Sequence, residues 1–381
     1  MHRTPDPENE PPYEPADPPP AHFAEQALLG AVLLDPGLLP TLEQLGPAVF
    51  AHPAHAAVFA AMRTVPAPAS PTARTGLDWL NAVLAKARRQ APGLTPSYMH
   101  TLISACPRPH HAPAYAAILR SEHARRTLRL HAERLAQAAT DTTVPDRPQH
   151  ALDAADVLAR HLDELAEHFP THPRPLPRTP PPQAAPDDTD EGREAEQWLL
   201  ACAVSHPDHA RLMGWLTADD FLHPGHAGLW QCVTTLAHRG DPVDPVTVLW
   251  EAQHRGLLAA GLTPADTLAL LSTPVGSAGY WGERLVERTL LARALQAARH
   301  VTAYAADPAN SVHQLVTGSR RALADLHAVR SRWCRATHPA DPSTIPAAGP
   351  AAPRAGPRTP LTTQAAPLPS PPRRPTAVRI P

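Results

Sequence analysis

The chain has 381 residues and a formal net charge of −2 at pH 7, and 50 of its residues are proline. At about 150 residues per domain, this length predicts two or three domains. The near-neutral charge argues against a protein that coats nucleic acid electrostatically, and no apolar run approaches the roughly 20 residues that cross a bilayer.

Proline is concentrated in three stretches, where it is mixed with acids at 1–20, with acids and Ala at 170–189, and with Ala and Arg at 332–381. None of these stretches has enough apolar periodicity to offset the entropy of ordering it. The pattern predicts a disordered acidic tail, a disordered linker and a disordered basic tail. These segments flank two domains, at 21–169 and 190–331.

The cysteines are widely spaced and form no CxxC pair: Cys106, Cys202, Cys232 and Cys334. Such spacing favours free thiols in a reducing compartment over a disulfide framework or a zinc site. The N-terminus lacks a basic segment leading into an apolar one, so no secretory signal is expected. We therefore predict a cytoplasmic protein with no membrane partner.

The same pattern of residues is present twice. Phe50, His52, Pro53, His55 and Phe59 recur at one constant offset as Phe221, His223, Pro224, His226 and Trp230. At the same offset, Ala24-Glu25-Gln26 returns as Ala195-Glu196-Gln197. The period is far too long for a solenoid repeat of roughly 20–50 residues. The sequence therefore indicates a duplicated domain.

Apolar residues at helical spacing predict five short helices and then two long ones in each copy. The first copy has them at 24–34, 38–45, from 53 onward, 77–87, 96–104, 115–139 and after 146. The second has them at 194–204, 208–216, 225–236, 246–253, 264–271, 280–305 and 312–329. No convincing period-two strand is present. We predict an all-α protein of two tandem helical bundles, each a compact head followed by a long helical hairpin.

These motifs resemble the N-terminal domain of DnaB-type replicative DNA helicases, over about 21–169 and 190–331. The first copy has Ala48-Val49 where the family usually has acids. The resemblance implies a helical head and hairpin that pair subunits in the helicase ring and contact the primase. The residues that carry it in the second copy are Asp219-Asp220-Phe221, His226, Leu229, Trp230, Tyr280 and Glu287-Arg288.

The ATPase motor of these helicases has no counterpart in the sequence. A Walker A loop needs a lysine in Gly-x4-Gly-Lys-(Ser/Thr) to reach the nucleotide phosphates. The only lysine is Lys86, which has no glycine near it. We therefore expect no ATP-driven helicase activity in this polypeptide, and no cofactor.

The doubled His-Pro-x-His motif offers four imidazoles, but proline restricts their convergence, and no carboxylate or thiolate stands beside them in the sequence. We expect a structural role and no metal site. No Ser or Cys is placed beside a base, so no catalytic residue is predicted either. The residues interpreted as structural are Phe50, His55, Phe59, Phe221, His226 and Trp230.

Arginines line the first long helix of each copy. Glutamates at helical spacing would make this a solvated face with ion pairs worth a few tenths of a kcal/mol each. The alternative is a docking face for an acidic partner or for phosphates, with a tryptophan as anchor. The candidate partner-binding face comprises Arg125, Arg126, Arg129, Arg284, Arg288, Arg299 and Trp281.

Together these features predict a non-catalytic interaction module related to DNA replication. The hairpins could pair as an intramolecular pseudo-dimer or a homo-oligomer. The pair would bind replicative helicase or primase as an adaptor, decoy or regulator. The alternative is a nucleic-acid-binding regulator that uses the arginine-lined hairpins and the basic C-terminal tail. A metal-dependent enzyme that uses the histidines is the least supported interpretation.

Overall fold

The computed structural model describes residues 18–68, 73–169, 176–182 and 189–338. Within these ranges the chain is helical and contains no strand, which confirms the all-α prediction. None of the helices in this part of the chain is both long enough and apolar enough to span a membrane. Most of the two tails predicted as disordered, 1–20 and 332–381, lies outside the described residues.

The described part of the first copy contains six α-helices, whose first four form the head and whose last two form the hairpin. A proline inside the segment predicted as a helix at 38–45 removes a backbone donor, and the chain forms a 3-10 helix at Pro36–Leu42 instead. The α-helices are α1 Pro20–Leu34, α2 Pro53–Thr64, α3 Ala73–Ala87, α4 Pro96–Ser104, α5 Ala112–Thr140 and α6 Arg147–His168.

The second copy repeats this order with an additional short helix. Its first hairpin helix has 29 residues, the same length as α5. Several helices in both copies begin with proline, which costs no hydrogen bond in the first turn. The helices are α7 Asp190–Ser205, α8 Pro207–Leu212, α9 Pro224–Arg239, α10 Pro245–His254, α11 Pro264–Leu271, α12 Ala278–Ala306 and α13 Val312–Thr337.

The first head has a hydrophobic core of its own, arranged around α1. Leu28 and Leu29 of α1 are fully buried together with Phe59 of α2. Helix α4 lies so close to α1 that a side chain at Gly30 would collide with the carbonyl of Leu102. This core includes only the N-terminal part of α5: Ala112, Ala116 and Leu119.

The remainder of α5 belongs to a second core that both copies share. Helix α12 packs against α5, α6 and α13, so the two hairpins form one four-helix arrangement. Alanine and leucine alternate at spacings of three or four along the buried side of α5, which lets neighbouring helices approach closely. The buried residues of α5 in this core are Ala124, Leu128, Ala132, Leu135 and Ala139.

The described part of the linker differs from the disordered segment expected at 170–189. Residues 176–182 lie on the turn between α12 and α13. The backbone N–H of Arg178 donates to Asn310 Oδ1 over 2.8 Å, and Thr179 Oγ1 donates to Asp307 Oδ2 over 2.6 Å. Hydrogen bonds from backbone and hydroxyl groups therefore hold this segment in place. The pattern of apolar residues along the chain gave no sign of these bonds.

The C-terminal tail begins later in the chain than the sequence pattern predicted. Helix α13 continues to Thr337, beyond the boundary expected at 332. The Arg332 guanidinium donates to the Asp220 carboxylate and to the backbone carbonyl of Trp215. The end of α13 is thus fastened to the second head.

The shared core makes a prediction about stability. Leu128→Ala removes a fully buried side chain, and we expect the free energy of unfolding to fall by about 2–5 kcal/mol. Leu130→Ala is the control, because Leu130 lies on the same helix and is 44% exposed; its effect should stay within about 0.5 kcal/mol. Urea denaturation followed by circular dichroism measures both, and equal effects would contradict the burial of Leu128.

Candidate functional site: the glutamate–histidine centres and the hairpin face

A buried carboxylate in the first head joins two of the repeated motifs. Glu25 of α1 is 1% exposed. It accepts hydrogen bonds from the backbone N–H groups of Ala51 at 2.5 Å and His52 at 3.4 Å, and it bonds Nδ1 of His55 at 2.6 Å. The loop that leads into α2 is therefore fixed to α1 through this one side chain.

The second head repeats this centre. Glu196 of α7 accepts from the backbone N–H groups of Leu222 at 2.5 Å and His223 at 3.3 Å, and it bonds Nδ1 of His226 at 2.9 Å. Ala-Glu-Gln and His-Pro-x-His are thus two parts of one site. The expectation that no carboxylate accompanies the histidines was wrong, because the upstream motif of the same copy supplies it.

The aromatic residues interpreted as structural lie around these centres. In the first head, Phe50 and Phe59 are buried, with ring centroids 5.1 Å apart. In the second, Phe221 and Trp230 are buried 6.0 Å apart. These rings belong to the hydrophobic core of each head.

The two centres differ in the groups that complete them. In the first head, Nε2 of His55 bonds the hydroxyl of Tyr98 on α4 at 2.7 Å. In the second, Arg288 of α12 donates to Glu196 at 3.0 Å and to the carbonyl of Asp220 at 2.6 Å. An arginine cation therefore compensates the buried charge of Glu196.

In the first copy, Arg126 contacts the loop as Arg288 does in the second copy, but it does not contact the buried glutamate. It donates to the carbonyls of Ala48 at 3.2 Å and Val49 at 3.0 Å, in the loop equivalent to that of Asp220. Among the described residues, no arginine forms an ion pair with Glu25. Histidine is its only ion-pair partner there.

Hydrogen bonding keeps both buried glutamates charged. Burial by itself would raise the pKa of Glu196, but the bond from His226, the N–H of Leu222 and the charge of Arg288 outweigh it and lower the pKa. The pKa of Glu25 is likewise lowered, since the bonds from His55 and Ala51 outweigh burial. These contacts anchor loops and leave little of either carboxylate for acid–base chemistry.

Asp220 fastens the second head to its own hairpin. The sequence identified it only as part of a motif and predicted no contact for it. The carboxylate accepts from the backbone N–H of Thr217 at 2.8 Å and from Arg332 of α13. The first copy has Val49 at the equivalent position. The acidic pair at 219–220, present in only one copy, was the available signal for this contact.

One arginine of the predicted docking face joins the two copies. Arg125 of α5 donates to the backbone carbonyls of Ala305 at 3.1 Å, Asp307 at 2.8 Å and Asn310 at 2.7 Å. Carbonyls at a helix C-terminus have no intrahelical partner and carry partial negative charge, so a cation there is stabilising. Arg125 thus caps α12 from the opposite copy.

Two ion pairs also cross between the hairpins. Arg320 of α13 contacts Asp163 of α6 at 2.5 Å, and Arg330 contacts Asp156 at 2.5 Å. All four side chains are partly exposed, so each pair adds little stability. They fix the register of α13 along α6.

The other residues of the predicted face are accessible. Arg129 pairs with Glu133 at 2.8 Å and Arg284 with Glu287 at 2.9 Å, with at least half of each arginine side chain exposed. Arg299 is exposed as well. Half-buried Trp281 packs on Trp198 with centroids 4.6 Å apart. Arg125, Arg126 and Arg288 are partly buried and bond backbone carbonyls, so the accessible part of the face is Arg129, Arg284 and Arg299.

A cavity of about 580 Å³ lies beside Arg284, between α7, α12, the end of α5 and the start of α6. The first copy contributes Thr140 and Arg147, and the second contributes Trp198, Tyr280 and Trp281. Tyr280 is 54% exposed at its rim. Aromatic and arginine side chains together are the composition that protein interfaces favour.

Comparison with known proteins identifies the family. Residues 17–121 and 189–281 both match the DnaB-like helicase N terminal domain, and the two matches cover about half of the chain. The chain therefore belongs to this family and contains a replication-related helicase N-terminal module. These matches fall on the helicase N-terminal domain alone.

A similar protein is the replicative DNA helicase DnaB of Mycobacterium leprae (strain TN). It is 32% identical over 130 residues, which cover 32% of this chain and 22% of the helicase. The match thus spans about a fifth of the helicase's length. No solved structure matches the chain.

The Glu196 centre predicts a pH-dependent stability. Glu196→Gln should lower the free energy of unfolding at pH 7 by about 2–3 kcal/mol, since Arg288 and His226 lose a charged acceptor. The folded-state pKa lies below the ordinary 4.5, so the unfolded chain takes up the proton first. The contribution is complete above about pH 4.5 and is lost as pH falls through the folded-state pKa.

Chemical denaturation between pH 7 and pH 3 measures this difference. The control is Asp208→Asn, because Asp208 is an exposed carboxylate whose arginine partner is 3.9 Å away. The control should follow the wild type at every pH. A wild-type protein and a Glu196→Gln variant with the same pH profile would show that this carboxylate is not compensated as described.

Proposed function

We propose that the protein is a non-catalytic interaction module of DNA replication, in which one chain supplies a ready-made pair of helicase-type N-terminal domains. The observation that supports this most directly is the core shared by α5, α6, α12 and α13. In the DnaB-type helicases that these domains resemble, the hairpin pairs one subunit with another. Here the hairpins of the two copies pack against each other.

Covalent linkage favours this pairing. A short linker raises the effective concentration of one copy near the other to roughly millimolar, so each contact between them can be weak. The contact made by residues 176–182 with Asn310 shortens the free part of the linker further. A hairpin surface that is already occupied is less available to pair with a third domain.

The surfaces that lie outside the paired hairpins would then determine what the protein binds. The heads and the outer side of α12 stay accessible, and these would contact a replicative helicase or a primase. A pair with no motor of its own would act as an adaptor, a decoy or a regulator in the cytoplasm, where replication proteins work. Because the chain covers only a fifth of its helicase relative, the partners are part of the proposal.

The absence of catalysis is also part of the proposal. The matched regions correspond to a helicase N-terminal domain, and the sequence contains one lysine, Lys86, which is far from any Walker A pattern. The buried glutamates and histidines are engaged in hydrogen bonds that hold loops.

We place the docking face around Arg284, beside Tyr280 and the cavity between the copies. The prediction is that Arg284→Glu weakens binding to replicative helicase or primase at least ten-fold, because an exposed cation at the interface becomes an anion. Surface plasmon resonance of the full chain against each purified protein from the same organism, at physiological salt, measures this.

Arg211→Glu is the matched control for this measurement. Arg211 is 51% exposed and pairs with Asp208, whereas Arg284 is 50% exposed and pairs with Glu287. The control should bind like the wild type. Binding of neither protein at micromolar concentration would overturn the proposal. So would binding of DNA alone, with an affinity that falls steeply with salt.

A further inference from the structure

Three imidazoles surround the buried carboxylate of the first head. His22 and Glu25 lie three positions apart on α1 and so share a face of the helix, and His55 approaches from α2. Ligating atoms of these three side chains all lie within 4.8 Å of one another. The ring of His52 is next to them, with its centroid 4.5 Å from that of His55 and 5.8 Å from that of His22.

The second head provides an internal comparison. At the constant offset between the copies, Arg193 occupies the position of His22, and Arg288 donates directly to Glu196. A permanent cation thus pairs with that carboxylate, in addition to His226. In the first head the position of Arg193 holds the imidazole of His22, and among the described residues no arginine pairs with Glu25.

We propose that His22, Glu25 and His55 bind a divalent transition-metal ion, with Zn²⁺ as the ion that fits this ligand set best. Imidazole nitrogen and carboxylate oxygen are ordinary zinc ligands, at roughly 2.0–2.2 Å from the metal. Tetrahedral geometry then requires ligand atoms about 3.3 Å apart. The Nδ1–Oε2 separation of 2.6 Å has to widen to reach this value, and the other separations, all within 4.8 Å, have to approach it.

The proton between His55 and Glu25 is the group that the metal replaces. The 2.6 Å contact of Nδ1 with Oε2 holds one proton. On binding, bonds form from the ion to Nδ1 and to the carboxylate, and the Nδ1 proton is exchanged through solvent for one on Nε2, so the imidazole stays neutral. Nε2–H then donates to the Tyr98 hydroxyl at 2.7 Å, the outer hydrogen bond that orients a metal-binding imidazole.

The ion can reach this site from solvent. His22 is half-buried and His52 is exposed, so they form the outer edge of the cluster, and Glu25 and His55 form its floor. His52 or a water molecule can complete the fourth position. Burial and the neighbouring His55 lower the pKa values of His22 and His52, which favours the neutral imidazoles that bind metals.

Isothermal titration calorimetry with Zn²⁺ on the full chain, prepared without a histidine tag and stripped with chelator, tests this site. The wild type should bind one ion with high affinity, and His22→Ala should weaken that binding at least ten-fold. His22 lies at the edge of the head, so this variant should retain the wild-type circular dichroism spectrum. The control is His223→Ala in the second head, which should leave zinc binding unchanged.

Cobalt substitution identifies the ligands independently. Co²⁺ bound to the wild type should show the visible bands of a four-coordinate nitrogen–oxygen site, and His22→Ala should lose them. Zn²⁺ should also raise the melting temperature of the wild type but not of His22→Ala. Equal zinc affinity in the wild type and His22→Ala would overturn the site, as would a thiolate-to-cobalt charge-transfer band.

Discussion

The packing of α12 against α5 is the contact on which the rest of the structure depends. Small and branched residues alternate along it, with Ala132 facing the core between Leu128 and Leu135. Alanine permits close approach, and leucine supplies the apolar area whose burial stabilises the pair at about 25 cal/mol per Å². Arg125 also fixes how α5 and α12 are aligned, because it caps the C-terminal end of α12 from the other copy. One chain thereby builds a pair of domains.

The two copies have diverged in how each head is attached to this bundle. The second head continues the shared core and is fastened by Arg288 and Arg332, which reach its loop from the two helices of its hairpin. The first head has a separate core. It lacks the acidic loop and holds its glutamate with His55, whose other ring nitrogen bonds Tyr98. The proposed metal site therefore belongs to the copy whose head has a separate core.

Local pattern was sufficient to predict most of the helices, because helical periodicity and the prolines that open helices act over a few residues. The Glu–His centres could not be predicted this way. Glu25 and His55 are 30 positions apart, and only the packing of α2 on α1 brings them together. Arg125 and its acceptors are about 180 positions apart, so a side chain that resembled a docking cation proved to be an internal cap. The order of residues 176–182 likewise depends on distant polar partners.

Separating the copies tests the central claim, the pairing of hairpins within one chain, most directly. A protease site inserted between Pro182 and Thr189 allows the purified protein to be cut, and size-exclusion chromatography with light scattering then gives the mass of the product. The account predicts that the two fragments remain together in a one-to-one complex at micromolar concentration. Fragments that elute separately, each folded by circular dichroism, would contradict it.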